Sequence, residues 1–315
     1  MVTARHPTRR EVVNVGIAIV TYNNSRDILS LCASMNLDAE KLVTRILVVD
    51  NGSSDDTVAV ARGIPGVRVI VNEANAGFAG GVNVALHALG DEVDAVAVLN
   101  PDAVVAPGAL RELAAALTDP SVGVAVPRVT EPDGEAAYSL RREPGILTAL
   151  GDAAVGSRLR RRPAWLSDTL WDPRAYEHDH DVDWASGAAW MVARDVVGCV
   201  GPMDERYFLY SEEVEYARRV RRHGWRVRYV ASAEVAHVGG ASGRSAALDA
   251  LRAMNRVKDY RSCHLLLPSL VFGAVVVGHQ AVRSSRGTYA DVTRLLLRPR
   301  SWRMPAREFV AWASR

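Results

Sequence analysis

Residues 93–102, VDAVAVLNPD, form an apolar run that stops on Asn100-Pro101-Asp102. Its strand character puts a carboxylate where the chain leaves a buried sheet, the edge at which α/β proteins keep their chemistry. Pro101 has a fixed φ and no N–H, so it ends the ladder and holds Asp102 in a defined turn. A carboxylate so placed could hold a divalent cation against a diphosphate, or simply bond the N–H groups of its own turn. A second acidic cluster, Glu212-Glu213-Val214-Glu215, opens an amphipathic stretch. Acid there compensates a helix dipole or supplies a general base. His237 lies in AEVAHVGGAS, where Gly239, Gly240 and Ser242 favour a phosphate or metal role over an ordinary histidine.

The elements that must position these groups are legible in the first hundred residues. Residues 14–21, 45–49, 67–71 and 95–99 are short, β-branched and apolar, as strands covered on both faces should be. Between them, residues 27–35, 56–62 and 80–89 have helical spacing. The alternation predicts a doubly wound, mostly parallel sheet with right-handed crossovers. No G-x-G-x-x-G follows the first strand and no G-x-x-x-x-G-K-[ST] occurs, so any nucleotide is held by other means. Three polar, glycine-bearing loops follow strands on one edge: Thr21-Tyr22-Asn23-Asn24, the run from Asp50 to Thr57, and the run from Asn72 to Gly81. In the second, Ser53, Ser54 or Asp55 could cap a helix, whereas Asp50 sits directly on a strand's carboxyl end. In the third, Gly77, Gly80 and Gly81 allow close backbone approach, and Asn83 stands near the positive end of the next helix.

The ordered set IVTYN, VVDNGSSDDT, NEANAGFAGGVN, LNPD, DWASGAAWMVARD, GPMDERYFLYSEEVEYARRVRRHGW and HVGGAS resembles the inverting family 2 glycosyltransferases of GT-A fold. Within that family it is most similar to bacterial rhamnosyltransferases that use dTDP-L-rhamnose. The resemblance spans residues 14–245. It implies that Thr21, Tyr22, Asn23 and Asp50 hold the nucleoside, and that Asn75, Gly77, Phe78 and Asn83 border the diphosphate and sugar. Asn100 and Asp102 then stand on the first and last positions of the family's metal-binding D-x-D element. Asp102 would bind Mg²⁺ or Mn²⁺, with His237 as a second ligand or a phosphate donor. Glu213 falls on the catalytic base and Glu215 on a second acid, where the family usually has Asp; Glu212 is the other candidate base and an acceptor contact. Trp184 and Gly187 would line the acceptor pocket, and Trp190 and Met191 read as core. Arg218 or Arg219 is expected to pair with the acidic cluster or approach the phosphates.

The composition fits that picture. A chain of 315 residues, 49% hydrophobic and 23% charged, can bury a large core. Its division is expected at a basic tail over 1–13, a GT-A domain over 14–245 (donor half 14–102, acceptor half 103–245) and a basic helical region over 246–315. From Arg244 onward there are 13 Lys/Arg against 4 Asp/Glu, a net +9 that leaves −7 on the rest. The apolar run from Cys263 to Val277, interrupted by Pro268, Ser269 and Gly273, is shorter than a membrane span and reads as a packing or interfacial helix, or a subunit contact. Residues 176–181, YEHDHD, match no metal-ligand spacing and read as a mobile loop. Three scattered cysteines and no visible leader suggest the cytosol, with peripheral membrane contact through the basic region. No nucleic-acid-binding motif is present. Expected partners are a nucleotide sugar and a glycan, glycolipid or small-molecule acceptor. The rival readings are a UDP-galactofuranose or other UDP-sugar donor, a silent nucleotide-sugar-binding scaffold, and a nucleotidyltransferase.

Overall fold

The computed structural model describes residues 12, 14–35, 42–131, 133–156, 162–237, 245–283 and 288–314. Most of the basic tail, and Gly239, Gly240 and Ser242, lie outside the described residues.

Residues 14–102 fold as their alternation predicts. Strands β1 (Val15–Thr21), β2 (Val43–Asp50), β3 (Val67–Val71) and β4 (Ala95–Leu99) are parallel, in the order β3-β2-β1-β4. Helices α1 (Ile28–Ser34), α2 (Thr57–Arg62) and α3 (Gly77–Leu89) connect them. Every residue of β1 and β4 is buried, which is why both read as unbroken apolar runs.

Beyond β4 the sheet becomes mixed. The short β5 (Ala103–Val105) and α4 (Ala109–Ala116) precede β6 (Val122–Thr130). A two-stranded ribbon pairs β7 (Leu140–Arg141) with β9 (Trp184–Ala185), and α5 (Ile146–Val155) and β8 (His180–Val182) lie between them in sequence. Strand β10 (Ala189–Ala193) inserts antiparallel between β4 and β6, burying Trp190 and Met191 as expected. After α6 (Arg194–Val200) and α7 (Glu212–Arg222), β11 (Arg226–His237) runs parallel to β6 and antiparallel to β5 and β8. The carboxyl ends of β1, β2, β3, β4, β6 and β11 therefore share one edge of a nine-stranded sheet.

One sequence expectation is corrected here. The 176–181 segment is an ordered edge strand with its flank: Asp181 pairs with Arg226 and Arg228 of β11, and Asp179 accepts the Ala231 N–H. Those acidic residues neutralise the strand beside them. The apolar C-terminal run is helix as expected, from Leu266 onward and unbroken through Pro268, Ser269 and Gly273, because Pro268 falls in the first turn, where an N–H is not needed.

The C-terminal region comprises α8 (Ala246–Cys263), α9 (Leu266–Val282), α10 (Thr288–Leu296), α11 (Pro299–Arg303) and α12 (Ala306–Ala313). Met254, Phe272, Val292, Leu296 and Phe309 form a second core that also takes in Ala149 of α5 and Phe208. This bundle is thus packed against the chain that leads into α7. No helix among the described residues is long and apolar enough to cross a membrane.

Candidate functional site at the carboxyl edge of the sheet

Asp50 closes β2 and is fully buried. It accepts from Thr21 Oγ1 (2.8 Å), Ser53 N (2.8 Å) and Ser53 Oγ (2.5 Å), so β1 and β2 are locked together at their tips. Tyr22 is half exposed, and Asn23 takes a left-handed φ of 58° while its Oδ1 accepts the Ser54 N–H. The two loops therefore present one wall, with Tyr22 standing free of it.

The third loop is set by a residue the sequence reading passed over. Asn51, 3% exposed, donates from Nδ2 to Gly77 O (2.9 Å) and accepts at Oδ1 from Asn72 Nδ2 (2.9 Å) and Ala76 N (3.3 Å). Its position one residue beyond a strand-ending Asp was the available signal. Asn75 Oδ1 takes the Gly77 N–H, and Phe78 N donates to Phe208 O at 2.8 Å. Gly77 has φ +75°, and a Cβ there would sit 2.1 Å from Phe208 O, so no other residue fits. Asn83 bonds Met203 N, Met203 O and Glu205 Oε1. The Phe78 N–H of α3 and the Asn83 amide thus tie the parallel half of the sheet to residues 203–208.

Asn100, Asp102 and His237 do come together. The register that pairs Ala103 with His237 carries the histidine over the Asn100-Pro101-Asp102 turn. His237 Nε2 lies 3.1 Å from Asp102 Oδ1 and 3.2 Å from Asn100 Nδ2. Asp102 is 7% exposed, whereas a quarter of the His237 side chain is open.

The acidic pair is anchored by the same turn. Asn100 N donates to Ala188 O (3.0 Å), and the adjacent Gly187 N donates to Glu213 Oε1 (3.2 Å). An added Cβ on Gly187 would fall 2.7 Å from Glu213 Oε1, so this glycine makes the room the longer Glu side chain needs. Trp184 is partly buried, with its Nε1 on Arg142 O at 2.9 Å. Glu212 is almost wholly buried, with Oε2 lacking any hydrogen-bond partner. Burial, and then the charge of Glu213, push its carboxyl well above the usual range; burial also raises Glu213. Burial thus weighs more heavily on the carboxyl of Glu212 than on that of the partly exposed Glu213.

The turn that aims this pair is strained. Phe208, Tyr210 and Ser211 have φ of 63°, 69° and 76°. Fully buried Asn255 of α8 holds it, donating from Nδ2 to Tyr207 O, Leu209 O and Tyr210 O at 2.8 to 3.2 Å. Arg218 does not pair with Glu212 or Glu213. It bonds Asp259 (2.7 and 2.8 Å) and Glu143 (3.0 Å), joining α7 to α8 and to the loop after β7. Glu215 pairs with Arg219 (2.6 Å) as expected of this cluster, on the side that contacts Val200 O and Pro202 O.

These placements can be set beside known proteins. Residues 16–196 match the family model described as Glycosyl transferase family 2. The chain belongs to this family. Over 232 residues, 70% of this chain and 75% of the other, it is 34% identical to the N-acetylglucosaminyl-diphospho-decaprenol L-rhamnosyltransferase of Mycobacterium tuberculosis. A hexosyltransferase of low-salt glycan biosynthesis in Haloferax volcanii is 27% identical over 66% of this chain and 62% of its own. Among solved structures, GalNAc-T7 with UDP, GalNAc and Mn²⁺ superposes with a TM-score of 0.58 at 14% identity. That alignment takes in 97% of this chain, which spans about half, 55%, of the other. The mannosyltransferase of Pyrobaculum calidifontis, in complex with GDP-Man and Mn²⁺, gives 0.53 at 16% identity over 98% and 88%. The family 2 member has the GT-A glycosyltransferase fold with a helical C-terminal region.

Proposed function

We propose that this family 2 glycosyltransferase is an inverting, divalent-metal-dependent rhamnosyltransferase. It moves L-rhamnose from dTDP-L-rhamnose to a hydroxyl of a lipid-linked glycan at the cytoplasmic face of a membrane. The observation that carries the reading is the juxtaposition of Asp102 and His237 with the Gly187–Glu213 contact, joined by the Asn100 N to Ala188 O bond.

The donor set suits Mg²⁺ or Mn²⁺. The 3.1 Å between Asp102 Oδ1 and His237 Nε2 is close to the spacing of about 3 Å between neighbouring ligands on an octahedral cation with bonds of roughly 2.1 Å. Among the described residues no third acid, His or Cys is grouped with them, so a cation held here would draw further oxygen ligands from the diphosphate and water. A cation held there would neutralise the charge that develops on the departing diphosphate. Asn100 Nδ2 lies 3.2 Å from the same His237 Nε2 and holds the imidazole over the turn, a contact a bound cation would replace. Glu213, oriented by the Gly187 N–H, receives the acceptor hydroxyl proton; protonated Glu212 behind it adds no second negative charge. The rhamnosyl donor and lipid-linked acceptor are proposed from likeness to the mycobacterial enzyme. The membrane side rests on Leu265, Leu266, Leu267 and Leu270, exposed at the start of α9 within a basic region.

Calorimetric titration of dTDP, UDP and GDP, with and without Mn²⁺ or Mg²⁺, into wild type and Asp102→Ala tests the donor and metal assignments together. The expected result is strongest binding of dTDP, strengthened by metal in wild type only. Preference for UDP would transfer the reading to a UDP-sugar donor. Donor binding without turnover on any lipid-linked acceptor would favour a silent scaffold.

A further inference from the structure

A second polar cavity lies within the helical region, away from Asp102 and His237. It has a volume of about 150 Å³ and is lined by Arg252 and Arg256 of α8, His279 and Gln280 of α9, Arg283 just after α9, and Tyr289 of α10, among others. Three guanidinium groups converge on this small, partly open space, a concentration of positive charge that attracts an anion. Two of them are partly compensated: Arg256 bonds Asp168 at 2.8 Å, and Arg252 lies 3.7 Å from Asp249, which also lines the cavity. Arg283 lies over the Tyr289 ring at 4.3 Å and, among the described residues, meets no carboxylate. Gln280 Oε1 is buried without a hydrogen-bond partner; a rotated amide would turn an N–H₂ donor to the same spot.

The cavity is tied to the acidic pair through one side chain. Arg252 stacks over the Tyr210 ring at 4.3 Å, and Tyr210 belongs to the strained turn that leads directly into Glu212 and Glu213. None of the residues that line this cavity is among those assigned to the donor, Asp102 and His237 included. Helix α9 runs from this cationic end to the exposed leucines at 265–270, about 18 Å along its axis. Such a helix fits an amphiphile with a charged head and an apolar chain.

We propose that this cavity binds the diphosphate of the acceptor, with Arg252 and Arg283 as its principal donors. The assignment rests on the lipid-linked acceptor named above and adds where its diphosphate is gripped. Arginine forks match phosphate oxygens bidentately, and each such charged contact gives roughly tenfold or more in affinity. The positive field is already visible at His279, which burial and then the charges of Arg283 and Arg256 hold below its ordinary pKa.

The test uses Arg283→Gln, with Arg283→Lys as the charge-keeping control, since Arg283 touches neither the base nor its turn. Two acceptors are compared: N-acetylglucosaminyl diphosphate on a short isoprenoid chain, and the isoprenoid glycoside lacking the diphosphate. Arg283→Gln should raise KM for the first about tenfold, Arg283→Lys less, and neither should change KM for the second or for the donor. Equal effects on both acceptors, or no effect, overturn the proposal. Calorimetry with an isoprenoid diphosphate, in saturating dTDP and Mn²⁺ so that the donor site is filled, separates this from the rhamnosyl assignment. Loss of that binding in Arg283→Gln sustains the cavity even if no rhamnosyl transfer is found. Unchanged diphosphate affinity, with loss only of sedimentation on anionic phospholipid vesicles, makes the cavity a membrane headgroup site and overturns the acceptor assignment.

Discussion

Gly187→Ala is the sharpest probe of the base. Gly187 is not among the residues with positive φ, so Ala is allowed by the backbone, and the consequence is local. The new Cβ would lie 2.7 Å from Glu213 Oε1 and 3.1 Å from Glu213 Cγ. Restoring ordinary contact at 3.4 Å requires the carboxylate oxygen to retreat by about 0.7 Å. The far end of a glutamate can do this cheaply, so Tm should stay within roughly 2 °C of wild type. Proton transfer is far less forgiving, because misplacement of about 1 Å can reduce rate by about two orders of magnitude. Initial-rate assays should therefore show kcat falling roughly 10- to 50-fold, with donor KM unchanged. Adding Glu213→Asp to Gly187→Ala removes one methylene and relieves the contact, so the double variant should recover part of kcat. A Gly187→Ala enzyme within twofold of wild type would refute the reasoning, as would a folded double variant no faster than the single one.

The remaining predictions concern the supports of the site. Asn255→Ala withdraws the donor shared by Tyr207 O, Leu209 O and Tyr210 O and should lower both stability, by about 2 kcal/mol, and kcat, with donor KM little changed; thermal unfolding and steady-state kinetics check this. Arg218→Ala leaves Asp259 and Glu143 unpaired and should cost about 3 to 5 kcal/mol in denaturant unfolding, a loss Arg218→Lys recovers only in part. Glu212→Gln tests the buried proton. Folding raises the pKa of this acid, so the native state binds more protons than the unfolded chain, and stability falls as pH rises above the ordinary Glu value of 4.5 toward the folded value. The amide removes that loss, so Glu212→Gln should unfold about 2 °C higher than wild type at pH 8, with the gain vanishing below pH 4.5 and kcat nearly unchanged. An unaltered Tm at pH 8, or loss of activity as severe as in Glu213→Gln, would show Glu212 to be the charged member.

What the sequence disclosed follows from how far each interaction reaches along the chain. Strand and helix alternation is local, so the parallel half of the sheet, and with it the edge that gathers Thr21, Asp50, Asn100 and Asp102, could be read directly. The contacts that finish the site are long-range and carry no periodic signal. Arg218 finds Glu143 and Asp259 across 75 and 41 residues, and Asn255 reaches back 45 to 48 to the 207–210 carbonyls. An Asn or Arg inside a helix of mixed polarity looks like any solvated residue until its partner is known. The same limit explains the 176–181 segment, whose acids looked idle because Arg226 and Arg228 lie some 45 residues further on.

The placement of those hidden contacts has a consequence for how the enzyme can work. Asn255, Asp259 and Arg252 all belong to α8, and each meets a residue of the strained turn or of α7. Glu213 is thus aimed by the C-terminal bundle as much as by the sheet. Three left-handed residues in four store backbone strain that relaxes once α8 withdraws. On the proposed reading, a membrane at the exposed leucines or an anion at Arg283 would engage α9 and its flanks, which pack on the helix that holds the turn before Glu213. On that reading donor binding depends on Asp102, in the turn before β5, and His237, at the end of β11, whose contacts given above are with each other and Asn100 rather than with α8. A perturbation of the bundle should therefore lower turnover while leaving donor affinity intact. The separation would be visible as a fall in kcat at constant nucleotide Kd in any variant that loosens α8.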